Sequence, residues 1–91
     1  MIEEQLRNLK PILQRDYFVE TIGIFGSFAN GTATENSDVD LLVSFDRQVG
    51  WEFFDLQFFL EKELNKKIDL VTVNGLKTQL KDKILAQTKY L

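Results

Sequence analysis

The sequence predicts a small α/β or α+β domain, a mixed three-stranded sheet packed with helices. Three short apolar runs, VETIGIF, DVDLLVSF and IDLVTV, each stop at turn-forming residues, as strands do. The stretches around them repeat apolar residues at three- and four-residue intervals, the helical period. A chain of 91 residues suffices for one compact core, so residues 1–91 are expected to form a single domain with no second one to hold a large substrate.

Taken in order, Ile2, Leu6, Leu9 and Leu13 have helical spacing, and Pro11 either starts a second helical turn or kinks the first helix. Residues 19–25 read as the first strand. Gly26-Ser27 ends it, Ser27 suits the N-cap of a short helix through Asn30, and Gly31 suits its C-terminal end. Residues 32–37 are a polar loop, residues 38–45 the second strand, and residues 46–50 a turn. Residues 51–65 form a helix that the Asn65-Lys66-Lys67 turn ends. Residues 68–73 make the third strand. Asn74-Gly75 breaks the chain, and residues 76–88 form a last helix with Leu76, Leu80 and Ile84 on one stripe. The order is α-β-α-β-α-β-α.

Composition narrows the chemistry. With no cysteine and no histidine, thiolate and imidazole metal sites, His general bases and Ser-His-Asp triads are excluded, and acid/base and metal work falls to Asp and Glu. The net charge of −3 and the lack of a dense Lys/Arg stripe argue against direct nucleic-acid binding. The start, MIEEQLRNLK, lacks the apolar core of a signal peptide, and no apolar run is long enough to span a bilayer, so a cytoplasmic protein without a membrane partner is expected.

The stretch GSFANGTATENSDVDLLVSF carries the chemistry. Gly26-Ser27 follows one apolar run, and ten residues later Asp38-Val39-Asp40 opens the next. On a strand, Asp38 and Asp40 share a face with Cα atoms about 6.5–7 Å apart. Two carboxylates so placed suit two Mg²⁺ ions about 3.5–4 Å apart, each completing its shell with substrate phosphates. The bland reading makes Asp38 a loop cap and Asp40 a solvated strand end. Ser27 is the phosphate candidate, through its hydroxyl and the N–H groups of a helix start. Gly26 lets the backbone approach a phosphate closely. A Gly-Ser turn alone reads as an ordinary N-cap, but its spacing from Asp-x-Asp points to nucleotidyl transfer. Asp69, inside an apolar strand, is costly to bury unpaired. It completes the metal site from the neighbouring strand, accepts a proton from an attacking hydroxyl, or pairs with Lys66 or Lys67.

The helix over residues 51–65 has two faces. Phe53, Leu56, Leu60 and Leu64 make a sufficient core stripe, while Trp51, Phe54 and Phe58 fall nearly opposite, with Phe59 between. Those three aromatics are either a contact surface for a partner or second copy, or are covered by loop or C-terminal segments of the same chain.

Gly26-Ser27, Asp38-Val39-Asp40 and Asp69 together resemble the minimal nucleotidyltransferase (MNT) domain family of the DNA polymerase β-like superfamily. The resemblance spans nearly the whole chain, including Phe-Phe-Asp-Leu at 53–56, Lys-Lys-Ile-Asp-Leu-Val at 66–71 and a final basic helix. It implies the polymerase β-like nucleotidyltransferase fold, with ATP as substrate and two Mg²⁺ ions as cofactors. It implies nucleotide phosphates on Gly26 and Ser27, Mg²⁺ on Asp38 and Asp40, and Asp69 as the third carboxylate. It also implies pairing with a HEPN-type ribonuclease toxin, with this chain as antitoxin transferring AMP to a tyrosine of that partner. One departure stands out. Members often read Ser-x-Ala-Arg-Gly, and this chain reads Ser27-Phe28-Ala29-Asn30-Gly31, so Asn30 supplies no cation near the phosphates.

The leading expectation is therefore a Mg²⁺-dependent nucleotidyltransferase. The alternatives are an antitoxin that neutralises its partner by binding alone, which Asn30 and the aromatic face favour, and a small-molecule nucleotidyltransferase, which the short chain argues against. A homodimer or hetero-oligomer through Trp51, Phe54 and Phe58 fits the first two.

Overall fold

The computed structural model describes residues 2–91. Its elements are α1 (Ile2–Tyr17), β1 (Val19–Phe25), α2 (Ser27–Asn30), β2 (Val39–Phe45), α3 (Glu52–Leu64), β3 (Ile68–Thr72), a 3₁₀ turn (Val73–Gly75), α4 (Thr78–Gln87) and β4 (Lys89–Tyr90). Helix α1 stays helical on both sides of Pro11. That residue is exposed, so the carbonyl one turn earlier, which loses its donor, faces water rather than the core. Leu6 and Leu13 are fully buried, with Ile2 and Leu9 half-buried beside them. Phe18 leaves the helix with φ 60, uncommon for a bulky residue. The Arg47 guanidinium lies 4.1 Å from the centroid of its ring, and its carbonyl accepts the Asp46 N–H at 2.9 Å. The first strand is thereby tied to the loop after the second.

The sheet order is β3-β2-β1-β4, with β1 antiparallel to β2 and to β4, and β2 parallel to β3. A parallel pair needs a crossover, and α3 supplies it. The register sets Ile22 beside Val43, Ile24 beside Leu41, and Leu41 beside Leu70. These residues join Leu6 and Leu13 of α1 and Leu56 and Leu60 of α3 in one buried cluster. One residue along, the alternation reverses. Phe25, Asp40 and Asp69 line up across three strands on the other face.

Four strands form, not three. The additional strand, β4, is two residues long, too short to show a period. It pairs Gly23 with Tyr90 and Ile24 with Lys89, and the Leu91 N–H donates to the Ile22 carbonyl at 3.0 Å. Gly23 is what admits it: a Cβ there would overlap the Thr88 methyl and lie 3.3 Å from the Lys89 carbonyl oxygen. Lys89 Nζ reaches Glu3 at 2.8 Å, and Lys10 Nζ donates to the Leu91 main-chain oxygen at 2.7 Å, fastening this segment to α1.

The last helix begins at Thr78, and none of its residues is fully buried. Leu76 and Ile84 are half-buried, but Leu80, expected on the same stripe, is exposed. Among the described residues, no helix is long and apolar enough to cross a membrane.

Candidate active site

The three aspartates gather at one end of the sheet. Strand β2 starts at Val39, one residue later than the sequence reading places it, because the first rung toward β3 is the Val39 N–H donating to the Lys67 carbonyl at 2.9 Å. Asp38 therefore stands just outside the strand, exposed. Asp40 is half-buried inside it, and Asp69 is its register partner on β3. Adjacent strands run about 4.8 Å apart, so the two carboxylates are close neighbours. Asp69 is exposed, not buried as an acid in an apolar strand suggests: β3 turns Ile68 and Leu70 into the core and Asp69 out. The ion pairs among the described residues leave Asp69 out as well, so the expected alternative pairing with Lys66 or Lys67 does not form.

The charged form of Asp40 is disfavoured. Its own burial, then the Asp69 carboxylate, a proton shared with Asp69 and the charge of Asp38 together push it up to about 6 from an ordinary 3.8. Like charges this close favour a cation between them. The donors are all carboxylate oxygens, the type that Mg²⁺ prefers, in a chain with no thiol or imidazole to compete. Among the described residues, no three acidic side chains are yet drawn in tightly enough to hold an ion. The donor set nonetheless fits Mg²⁺, with Asp38, Asp40 and Asp69 as the residues that would hold it.

Across from Asp40 lies the Gly26 turn. Gly26, not Ser27, is the N-cap of α2, with φ 69 and ψ −147, and no side chain caps the helix. Its carbonyl accepts the Ala29 and Asn30 N–H groups at 3.1 Å. Ser27 is the first helical residue, so its hydroxyl is not spent on capping. Gly26 is held more tightly than the sequence suggests. A Cβ on it would overlap Asp40 Oδ2 and lie 3.1 Å from Asp40 Cγ. The turn is seated directly on the most perturbed carboxylate. Asn30 folds back on the loop, where its Oδ1 accepts from the Thr32 N–H at 3.1 Å and the Thr32 hydroxyl at 2.6 Å.

A Gly-Ser turn packed onto Asp40, with a second carboxylate two residues before it and a third on the neighbouring strand, is the motif set of nucleotidyl transfer on a mixed sheet. A family model described as polymerase beta, nucleotidyltransferase matches residues 7–91. The chain belongs to this nucleotidyltransferase family. The protein adenylyltransferase MntA of Thermococcus cleftensis is 36% identical over 91 residues, covering 99% of this chain and 92% of that one. A Methanocaldococcus jannaschii chain provisionally named a protein adenylyltransferase is 43% identical over 76 residues, covering 82% and 88%. Among solved structures, a toxin–antitoxin crystal structure with AMP-PNP superposes with a TM-score of 0.75 at 29% identity, covering 91% of this chain and 69% of that one. The polymerase β-like fold read from the motifs is thereby borne out, with a fourth strand added.

Two further features of this nucleotidyltransferase bear on its partners. The hollows of about 460 Å³ beside Arg47 and Asn74 and about 470 Å³ between α1 and α3 are not lined by the aspartates. Trp51 at the N-cap of α3 and Phe54 and Phe58 within it are 79%, 49% and 66% exposed, with Phe54 packed on Trp51 at 5.9 Å and on Phe53 at 5.4 Å. Phe59 by contrast packs at a tilt on Tyr17 at 5.2 Å, and Phe53 meets Phe45 edge to face at 6.5 Å. Phe58 also borders the second hollow, together with Asp16, Asp55 and Lys62.

The contact between Gly26 and Asp40 predicts the effect of one methyl group. Gly26→Ala places a Cβ at positive φ and against the carboxylate, so stability is expected to fall by about 2 kcal/mol in denaturant unfolding. Transfer activity is expected to fall with it, because Asp40 can only yield by moving.

Proposed function

We propose that this nucleotidyltransferase, a single domain over residues 1–91, transfers AMP from ATP to a tyrosine hydroxyl of a HEPN-type toxin in the presence of Mg²⁺, and so acts as that toxin's antitoxin. The observation that carries the reading is Asp40, raised to about 6 between Asp38 and Asp69 and capped by the Gly26 turn. The adenylyltransferase names of its relatives and the toxin–antitoxin pair with AMP-PNP support the choice of nucleotide and acceptor.

Asp38 and Asp40 would hold Mg²⁺, with Asp69 as third carboxylate, and bound Mg²⁺ supplies charge neutralisation for the triphosphate. The Ser27 hydroxyl and the N–H groups of Ser27 and Phe28 bind the β- and γ-phosphates. Those two N–H groups belong to the first turn of α2 and have no main-chain acceptor among the described residues. Asp69, exposed beside Asp40, takes the proton as the acceptor oxygen bonds to the α-phosphorus. The bond from that phosphorus to the bridging oxygen breaks and pyrophosphate leaves. Exposed Asp38 and Asp69 leave the site within reach of an acceptor carried on a protein.

Incubation of labelled ATP, Mg²⁺ and the purified HEPN-type partner with this chain is the deciding experiment. Label on a partner tyrosine, lost in EDTA, is the expected result. Asn30, folded onto Thr32 and offering no cation, favours a second reading, neutralisation by binding alone. That reading requires an inhibited partner carrying no label. Within the first reading, Ser27→Ala is expected to weaken ATP and GTP alike, each by about fivefold in Kd, or about 1 kcal/mol. Titration calorimetry with both nucleotides checks this, and a loss confined to one base would place Ser27 elsewhere.

A further inference from the structure

Lys66 lies just ahead of β3, three residues before Asp69, and its side chain reaches the Phe28 ring and the Glu35 carbonyl. It is half-buried. Its Nζ lies 5.6 Å from the centroid of the Phe28 ring, on the residue that follows Ser27. The same Nζ donates to the Glu35 carbonyl at 3.4 Å, in the loop that leads to Asp38. The ammonium is thus held between the Phe28 ring of α2 and the loop that leads to β2.

Neither contact is with a carboxylate, and the ion pairs among the described residues do not include Lys66, although acids outnumber bases 14 to 11 in the chain. Both contacts are weak. A hydrogen bond of 3.4 Å is near the limit of its kind, and an ammonium that far from a ring gains little. Either is readily exchanged for an anionic oxygen, which bonds an ammonium more strongly than a carbonyl does. No basic residue lies within α2 itself, and the Asn30 amide oxygen is committed to Thr32.

We infer that Lys66 binds the terminal phosphates of the nucleoside triphosphate, exchanging the Glu35 carbonyl for phosphate oxygen when the nucleotide arrives. The inference rests on the ATP-using reading above and adds to it a cation delivered from the β3 side of the site. Lys66 stabilises the β- and γ-phosphates, and so the departing pyrophosphate, rather than the nucleoside.

The test compares AMP-PNP and AMP by calorimetry in Mg²⁺ with the whole chain. Lys66→Met keeps the apolar stem over Phe28 and removes the charge, Lys66→Arg keeps the charge, and Lys67→Met serves as control. Lys66→Met is expected to weaken AMP-PNP about tenfold and AMP less than about twofold, with Lys66→Arg within about threefold of the unmodified chain and Lys67→Met unchanged. Equal losses for both ligands, or undiminished AMP-PNP binding by Lys66→Met, overturn the role of Lys66 alone. Failure of the unmodified chain to bind AMP-PNP overturns the ATP-using reading and this inference with it. Unfolding midpoints of the variants, read by circular dichroism, separate a lost contact from a lost fold.

Discussion

Asp40→Asn is expected to abolish transfer while making the metal-free protein more stable. Loss of a carboxylate at the centre of the acidic group removes several kcal/mol of charge stabilisation, a fall of about a thousandfold or more in rate. The same replacement relieves the burial penalty and the repulsion that lift Asp40 to about 6. Discounted for its solvent exposure, that relief is about 1 kcal/mol, or about 4–8 °C in Tm for a domain of this size. The pH dependence has a definite sign. A carboxylate raised in the folded state binds its proton more tightly there than in the unfolded chain. Its stabilising contribution is complete below about 3.8 and is lost as the pH rises through about 6. The stability gap between the two proteins should therefore open between pH 4 and pH 7, with the asparagine variant ahead at neutral pH. Added Mg²⁺ should close the gap by stabilising only the unmodified protein, and its affinity should weaken below about pH 6 as protons compete for Asp40. Thermal unfolding across that range, with and without Mg²⁺, checks each part. Full activity in the variant, or in EDTA, would remove the metal from the mechanism.

The second large effect concerns α3. Replacing Phe54 and Phe58 with Ser is expected to break association with the toxin partner or with a second copy while leaving the fold intact. Aromatic anchors at the centre of an interface are commonly worth 2 kcal/mol or more each, so the pair should weaken binding by about a hundredfold or more. The fold should survive because the core stripe of α3 is Leu56, Leu60 and Leu64, all buried, whereas Phe54 and Phe58 are 49% and 66% exposed. Light scattering of the chain alone and mixed with the partner gives the association state, and circular dichroism gives the fold. A collapsed double variant would show that the two rings support the core. A folded one that associates as before would move the docking surface off this helix.

Much of this was legible in the sequence, for identifiable reasons. Strands β1, β2 and β3 are apolar runs between strong breakers, and their periods survive into the register that sets Asp40 beside Asp69. The faces of α3 were legible because Leu56, Leu60 and Leu64 recur at four-residue steps. What stayed hidden depended on contacts between distant segments. Strand β4 is two residues that pair only because Gly23, more than sixty positions earlier, leaves room for Thr88 and Lys89. A glycine in the middle of a strand was the available signal. The exposure of Asp69 depends on which face of β3 meets α1 and α3, and the polar exception in that strand marked the outward side. The seating of Gly26 on Asp40 joins residues fourteen apart and has no local signature beyond the need for positive φ. Lys66 was weighed only as a partner for Asp69, and its place over Phe28 appears only once the turn and the third strand are brought together.

The position of β3 at the edge of the sheet gives Asp69 a second consequence, in solubility rather than chemistry. An outermost strand offers unpaired N–H and C=O groups along one side, a template on which any other extended chain can add itself. The opposite edge is β4, only two residues long, whereas among the described residues the five of Ile68–Thr72 have no strand on their outer side. With Asp69 changed to an apolar residue, IDLVT would become an uninterrupted, uncharged segment of high strand propensity. A charge in the middle of it repels the matching charge of a second copy laid alongside in register. An acidic residue at this position therefore disfavours edge-to-edge pairing of two copies, whether or not the chain catalyses.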